Sequence, residues 1–514
     1  MIPLTIVLAS VAGRLLENTV NPTRIPPIPT NVTGTLANDF FFGFASAAAQ
    51  VEGAIDVDGK SPSIWDVFSK RKGKVADGTT TNTTIDEYYN YQETIDLLKM
   101  SGANSYRLSI AWSRLIPGGV KGSPVNQKAV QHYRKVFKAL LDNGITPFVT
   151  LYHWDMPQVL EDTYKSLLNT ERWNEDFVYF ADAAFKHFGD QVKHWVTYNE
   201  PGTICLGSYL AGYHPPNRCL DIRKCKFSIG PLDMLHCAHS ILTSHARAVD
   251  LYRRKYKRTQ KGVIGIVNII EWAEPITNDP EDVKATELRL DFSFGWYVDP
   301  LFTGDYPPSM RKAFRFILPQ FTNEEKRLLI GSSDFFGLNH YTTSYVARPS
   351  FKRKDPKDGL GSTLVTPFVS THYDINGNLM GEKGATFWLF SVPWGFKKAL
   401  KYIHTKYNVT DIYITENGFS ITDEYKLPLR DKLKDKSRIT YYQEYLNVMQ
   451  EVIKETNIKI KAYFAWTLID NFEWHEGFTT PFGSTIFDKQ ANKRFAKDSF
   501  FYLKDYFAQA MKKQ

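Results

Sequence analysis

The stretch His194-Trp195-Val196-Thr197-Tyr198-Asn199-Glu200-Pro201 reads as a short strand that ends abruptly in an amide and a carboxylate. It is apolar and aromatic without strict alternation, the pattern of a strand buried on both faces of a parallel sheet. Seven other runs have the same character: Phe40–Ala47, Ser105–Ile110, Thr146–Tyr152, Val263–Asn268, Phe335–Tyr341, Ile412–Thr415 and Lys461–Thr467. Between them lie helix-like stretches, among them Tyr88–Met100, Gln127–Asn143, Trp173–Phe188, Leu232–Tyr256, Val392–Lys406 and Ile439–Thr456. Gly102, Gly144 and Gly189 stand where helix C-caps belong. A strand followed by a helix, eight times over, predicts the α/β class and a single (β/α)8 TIM barrel with long βα loops.

The C-terminal ends of these strands carry the second signal. Gln50 lies just beyond the first strand, Trp112 and Arg114 follow the second, and His153 and Trp154 the third. The fourth ends in Asn199 and Glu200, the sixth in Asn339 and Tyr341, the seventh in Glu416 and Asn417, and the eighth in Trp466. Any one of them reads equally well as a loop contact or a helix cap. As a set they converge on the face of a barrel where active sites are built. Two carboxyl groups on strands four and seven, across a mouth rich in Trp and Asn, suit cleavage of a glycosidic bond. One acid protonates the leaving oxygen while the other carboxylate meets the oxocarbenium centre. No paired metal-ligand motif accompanies His153, so no metal and no cofactor is expected. No G-x-S-x-G elbow follows a strand, which argues against a serine hydrolase.

The 514 residues are 43% hydrophobic and 23% charged, enough apolar material for a large core. The net charge of +8 is dispersed except at Arg253, Arg254, Lys255, Lys257, Arg258 and Lys261. That cluster reads as the solvated end of a helix, and no nucleic-acid partner is expected. Of the four cysteines, Cys219 and Cys225 flank a short polar loop that a disulfide could close. Cys205 and Cys237 sit in apolar, helix-like surroundings and read as inert thiols. Residues 1–13 resemble a signal peptide, 14–35 form a Pro-rich linker, 36–505 the barrel and 506–514 a C-terminal tail. The apolar start is too short to span a bilayer. Sequons at Asn31, Asn82 and Asn408 are glycosylation candidates, compatible with secretion or a secretory-pathway lumen; the cytoplasm is the alternative location.

Two segments, Trp195-Val196-Thr197-Tyr198-Asn199-Glu200-Pro201 and Ile414-Thr415-Glu416-Asn417-Gly418, closely resemble the acid/base and nucleophile motifs of family 1 glycoside hydrolases, the β-glucosidase family. The resemblance implies a retaining β-glycosidase acting on a small-molecule or oligosaccharide β-glycoside, most simply a β-glucoside, with β-galactosides, β-fucosides or transglycosylation as alternatives. It implies Glu200 as acid/base and Glu416 as nucleophile. Arg107 would keep the nucleophile ionised and Tyr341 would donate to it. Gln50, His153, Asn199, Glu473 and Trp474 would hold the sugar hydroxyls, Trp466 would lie beneath the ring, and Phe482 near its hydroxymethyl group. Asn339 would serve either a water network or the sugar. Glutamates at both positions speak against a thioglucosidase and against a non-catalytic binding relative, and Asn471-Phe472-Glu473-Trp474 argues for an unphosphorylated sugar. The polar, Gly-rich stretch Phe351 to Gly384 is expected on the active face, beside the aglycone.

Overall fold

The computed structural model describes residues 36, 39–351, 368–489, 491 and 493–512. The N-terminal segments expected as signal peptide and linker, Asn31, and residues 352–367 of the Phe351–Gly384 loop lie outside them.

Eight parallel strands close into a barrel in sequence order. They are β1 (Phe41–Ala45), β2 (Ser105–Ser109), β3 (Thr146–Tyr152), β4 (His194–Asn199), β5 (Val263–Ile269), β6 (Phe336–Asn339), β7 (Asp411–Asn417) and β8 (Lys459–Ala465). All eight expected strands are present. The helices used below are α1 (Glu87–Ser101), α2 (Gln127–Asp142), α3 (Thr170–Phe188), α4 (Pro201–Tyr209), α5 (Pro231–Leu251), α6 (Pro280–Leu290), α7 (Trp296–Thr303), α8 (Pro393–Tyr407), α9 (Lys436–Glu455) and α10 (Asp498–Lys512).

Each outer helix buries one stripe against the barrel. In α2 the buried residues Ala129, Val130, Tyr133, Val136, Phe137 and Leu140 recur at helical spacing. The Asn126 side chain accepts from Lys128 N and caps the helix start. Inside the barrel, aromatic rings from the early parts of the strands fill the floor. Phe148 stacks on His194 at 4.1 Å and meets Phe41 and Phe464 edge-on at 5.0 and 4.9 Å. The barrel is therefore a packed core with one open end, at the C-terminal edges of its strands.

Three expectations need correction. Cys205 and Cys237 are joined as a disulfide, because α4 lies directly on α5 with their Cα atoms 5.7 Å apart; Cys219–Cys225 forms as expected. Gly102 caps α1 in the left-handed conformation and Gly189 caps α3 at φ −69, both as expected. An added Cβ at 189 would fall 2.0 Å from the end of the Gln260 side chain, which would have to move aside. The C-terminal tail expected from residue 506 belongs to α10, whose Tyr506, Phe507 and Ala510 are buried. Trp112 and Arg114 do not reach the barrel mouth. Trp112 stacks on Phe180 at 4.7 Å, and Arg114 pairs with Glu52 at 2.9 Å.

The basic cluster at the end of α5 is indeed a solvated helix end laced with ion pairs, Arg253 and Lys257 to Asp334 and Lys255 to Asp182. Asn82 and Asn408 are exposed, as a glycan acceptor must be. Among the described residues no helix is long and apolar enough to cross a membrane, and no group of three His, Cys, Asp or Glu side chains could hold a metal ion.

The Cys205–Cys237 link closes 32 residues of chain and limits the unfolded ensemble accordingly. Cys237→Ala is expected to lower unfolding free energy by about 3 kcal/mol in urea under oxidising conditions. An unchanged midpoint would contradict the pairing.

Candidate active site

Both glutamates emerge where a strand loses its register. Pairing of β4 with β5 is irregular between Val196 and Asn199, and β7 is irregular against β6 and β8 beyond Ile414. Such bulges turn a side chain away from the regular alternation. Glu200 then takes a left-handed conformation, φ 50 and ψ 68, with Pro201 opening α4 behind it. At the end of β7, Gly418 lets the backbone pass Trp466, whose carbonyl oxygen would lie 1.9 Å from any added Cβ.

Arg107, wholly enclosed by the barrel, organises the hydrogen bonds between the two glutamates. Its Nη1 donates to Glu416 Oε1 at 2.5 Å and to Thr415 O at 3.2 Å, and its Nη2 donates to Asn199 Oδ1 at 2.7 Å. Tyr341 Oη donates to the other oxygen, Glu416 Oε2, at 2.7 Å. A guanidinium has donors only, so the Asn199 oxygen must face it. The Asn199 amide nitrogen then points at His153 Nε2, 3.0 Å away, and donates to it. His153 is thereby the neutral tautomer with its proton on Nδ1, which has no protein partner. Burial, with the Arg107 charge as a lesser cause, holds the imidazole well below its ordinary range.

The same logic reaches Glu200. Thr415 Oγ1 donates to Asn339 Oδ1 at 2.7 Å, so the Asn339 amide nitrogen faces the other way. It donates to Asn199 Oδ1 at 3.1 Å and to Glu200 Oε1 at 2.6 Å. Thr203 Oγ1 donates to Glu200 Oε2 at 2.8 Å. Because Oε1 must accept, any proton on Glu200 sits on Oε2. Burial and then the charge of Glu416 push the Glu200 carboxyl up to about 8. The two glutamates therefore differ in kind: one is ion-paired with Arg107, the other holds a proton at neutral pH.

Glu473 is the third carboxyl. Burial and Glu416 push it up to about 8, so it too carries a proton at neutral pH. The Trp466 indole donates to it, and Gln50 Nε2 donates to its Oε2 at 3.1 Å. Gln50 also binds Asn471 Oδ1 and Phe472 O, leaving its own Oε1 without a protein partner.

A cavity of about 420 Å³ opens over this group. Of the expected site residues, His153, Asn199, Glu200, Tyr341, Glu416, Trp466, Glu473, Trp474 and Phe482 line it. Gln50, Arg107 and Asn339 stand behind that wall and act on it through Glu473, Glu416 and Glu200. Trp474 packs on Trp154 at 4.5 Å and Phe482 lies edge-on to Tyr341 at 6.0 Å. Phe368 and Ser370, within the loop expected beside the aglycone, also line the cavity. Sequence reasoning missed Thr203, Thr415 and Trp388. Thr203 stands three residues after Glu200, the spacing of neighbours on one helix face, and could have been found that way.

Residues 32–512 match the family model described as Glycosyl hydrolase family 1. The chain belongs to glycosyl hydrolase family 1. It is 39% identical over 491 residues to Beta-glucosidase 34 of Oryza sativa subsp. japonica, covering 93% of this chain and 94% of that one. A GH1 β-glucosidase from the fungus Humicola insolens, solved in complex with glucose, superposes with a TM-score of 0.88 at 39% identity, covering 93% of this chain and 99% of its own. A rice β-glucosidase mutant in a covalent complex with glucose superposes with a TM-score of 0.87 at 40% identity, covering 92% and 98%.

In this family 1 chain the Glu416 charge raises both Glu200 and Glu473, so removing it is expected to lower both titrations. In the parent, the infrared band of protonated carboxyls is expected to persist at neutral pH and to fade as pH rises through about 8. Glu416→Gln should move that fading to lower pH. Asp155, which burial also pushes up to about 8, keeps its share of the band in place; a fading curve wholly unchanged would show that the carboxyls are not coupled.

Proposed function

We propose that the protein is a retaining β-glucosidase that removes terminal non-reducing β-D-glucosyl residues through a covalent glucosyl-enzyme. The observation that carries this reading is the contrast between the glutamates: Glu416 bound by Arg107 and Tyr341, and Glu200 away from any cation, with burial and the Glu416 charge pushing its carboxyl up to about 8. In the first step Glu416 attacks the anomeric carbon as Glu200 Oε2 passes its proton to the departing oxygen. The leaving group departs as an alcohol and Glu200 becomes a carboxylate. Asn339 and Thr203 already donate to both of its oxygens, so the anion is stabilised without rearrangement. In the second step this carboxylate takes a proton from water, whose oxygen displaces Glu416 and restores the β configuration. His153 Nδ1–H, Asn199 and Glu473 offer the hydrogen bonds that hold the sugar, and Trp466 the apolar surface for its ring.

Two disulfides and exposed sequons support placing the chain in an oxidising compartment of the secretory route or outside the cell.

The two roles separate kinetically. A dinitrophenolate needs no proton to leave, so Glu200→Gln should still form the glucosyl-enzyme from a dinitrophenyl β-glucoside and then stall for want of a base. Stopped-flow absorbance is expected to show a burst of phenolate and a slow steady rate that azide accelerates. Glu416→Gln should show neither burst nor rescue. Equal loss in both variants, with azide helping neither, would overturn the assignment.

A further inference from the structure

Outside the catalytic cavity, the chain between α4 and α5 carries apolar side chains that the fold leaves in water. Leu220, Ile222, Phe227 and Ile229 are between 52% and 69% exposed. Single exposed apolar residues are ordinary, but these four stand together. Cys219 pairs with Phe227 along a short ladder, and Leu220 lies within 3.1 Å of where a Cβ on Gly230 would stand. The Cys219–Cys225 disulfide closes the loop that carries Ile222. Arg218 braces its base, Nη2 donating to the buried Glu161 at 2.8 Å, and Lys226 N donates to Asn217 O at 2.7 Å.

Cations surround the patch. Arg223 and Lys224 protrude from the same loop with side chains 84% and 80% exposed. Lys74 Nζ donates to Lys224 O at 2.8 Å, which joins a second basic segment, Lys70-Arg71-Lys72-Gly73-Lys74, to the loop. Asp221 answers Arg223 at 2.8 Å, whereas Lys70, Arg71, Lys72 and Lys74 are in no ion pair among the described residues. Like charge is crowded here: burial, and then the charge of Arg71, hold the Lys74 ammonium below its ordinary value. The two segments lie at the open end of the barrel. Ala76 N donates to His475 O at 2.8 Å, and His475 lines the cavity together with Tyr213 and His214, which lead into the disulfide loop.

Exposed apolar side chains gain by leaving water, and unpaired cations gain by meeting anions. An anionic bilayer offers both, since its interface accepts apolar side chains without a matching pocket and its headgroups carry the negative charge. A soluble polyanion would answer the cations and leave the four apolar side chains in water. We propose that this pair of loops docks the protein on an anionic phospholipid surface, with Leu220, Ile222, Phe227 and Ile229 entering the headgroup region and the cations around Lys74 and Lys224 meeting the lipid charges. The attachment lies on the membrane and places the cavity mouth beside it, whichever glycoside the site cleaves.

Co-sedimentation of the full chain with phosphatidylcholine vesicles, with and without phosphatidylserine, tests the docking. The parent is expected to bind the anionic vesicles, more weakly as salt rises. Arg71→Ser, Lys72→Ser and Lys224→Ser combined should weaken that binding by about a hundredfold, about fivefold for each cation removed. Ile222→Ser with Phe227→Ser should weaken it at every salt concentration. A charge-matched control, Arg254→Ser with Arg258→Ser and Lys261→Ser where α5 runs toward the start of β5, should bind as the parent does. All these side chains are exposed, so each variant is expected to melt with the parent. A parent that stays in the supernatant, a patch triple that binds like the parent, or a control triple as weak as the patch triple overturns the proposal. So does an apolar double variant that binds like the parent, which would make the partner a polyanion and not a membrane.

Discussion

Arg107 is a full positive charge enclosed by eight strands, and every hydrogen bond around it takes its direction from that fact. Enclosing a guanidinium and a carboxylate costs several kcal/mol per ion unless each finds partners. Arg107 finds Glu416, the Thr415 carbonyl and the Asn199 amide oxygen. Since it can only donate, Asn199 must turn its oxygen inward and its nitrogen toward His153, and His153 must be neutral. The Asn339 amide is oriented in turn by Thr415 and by the Asn199 oxygen, so it presents a donor to Glu200 Oε1. A single buried cation thus sets the tautomer of one sugar ligand and the proton-bearing oxygen of the acid.

Charge arithmetic in the cavity follows from the same source. One cation is enclosed and one carboxylate is paired with it. Two further carboxyls beside that pair, Glu200 and Glu473, face burial and the field of Glu416 without a cation of their own, and both rise to about 8. The site is close to neutral at pH 7, and it contains a proton ready for the leaving group. The barrel makes this possible because its parallel strands bring β2, β4, β6 and β7 side chains to one end over a floor sealed by Phe148, His194 and Phe464.

Much of this was legible in the sequence because a barrel repeats its grammar. Unalternated apolar runs marked all eight strands, and polar residues at their ends marked the open face. What the sequence hid were relations between distant segments. Nothing around Cys205 or Cys237 announces that α4 lies on α5, so a disulfide read as two thiols. Trp112 and Arg114 follow a strand as Trp154 does, yet they turn away into the core and to Glu52. The register slips that aim Glu200 and Glu416 leave no mark in composition. The proton on Glu473 was invisible for the same reason, since it depends on how deeply the carboxyl is buried and then on how near Glu416 comes.

The central claim is that the enzyme's covalent bond to sugar forms on Glu416 and not on Glu200. A 2-deoxy-2-fluoro-β-glucoside with a good leaving group slows both steps but the second far more, so the intermediate persists. Digestion and peptide mass spectrometry of the trapped protein should find the fluoroglucosyl group on the peptide containing Glu416, at one equivalent per chain. A label on the Glu200 peptide, or no label in a chain that still cleaves the substrate, would contradict the account.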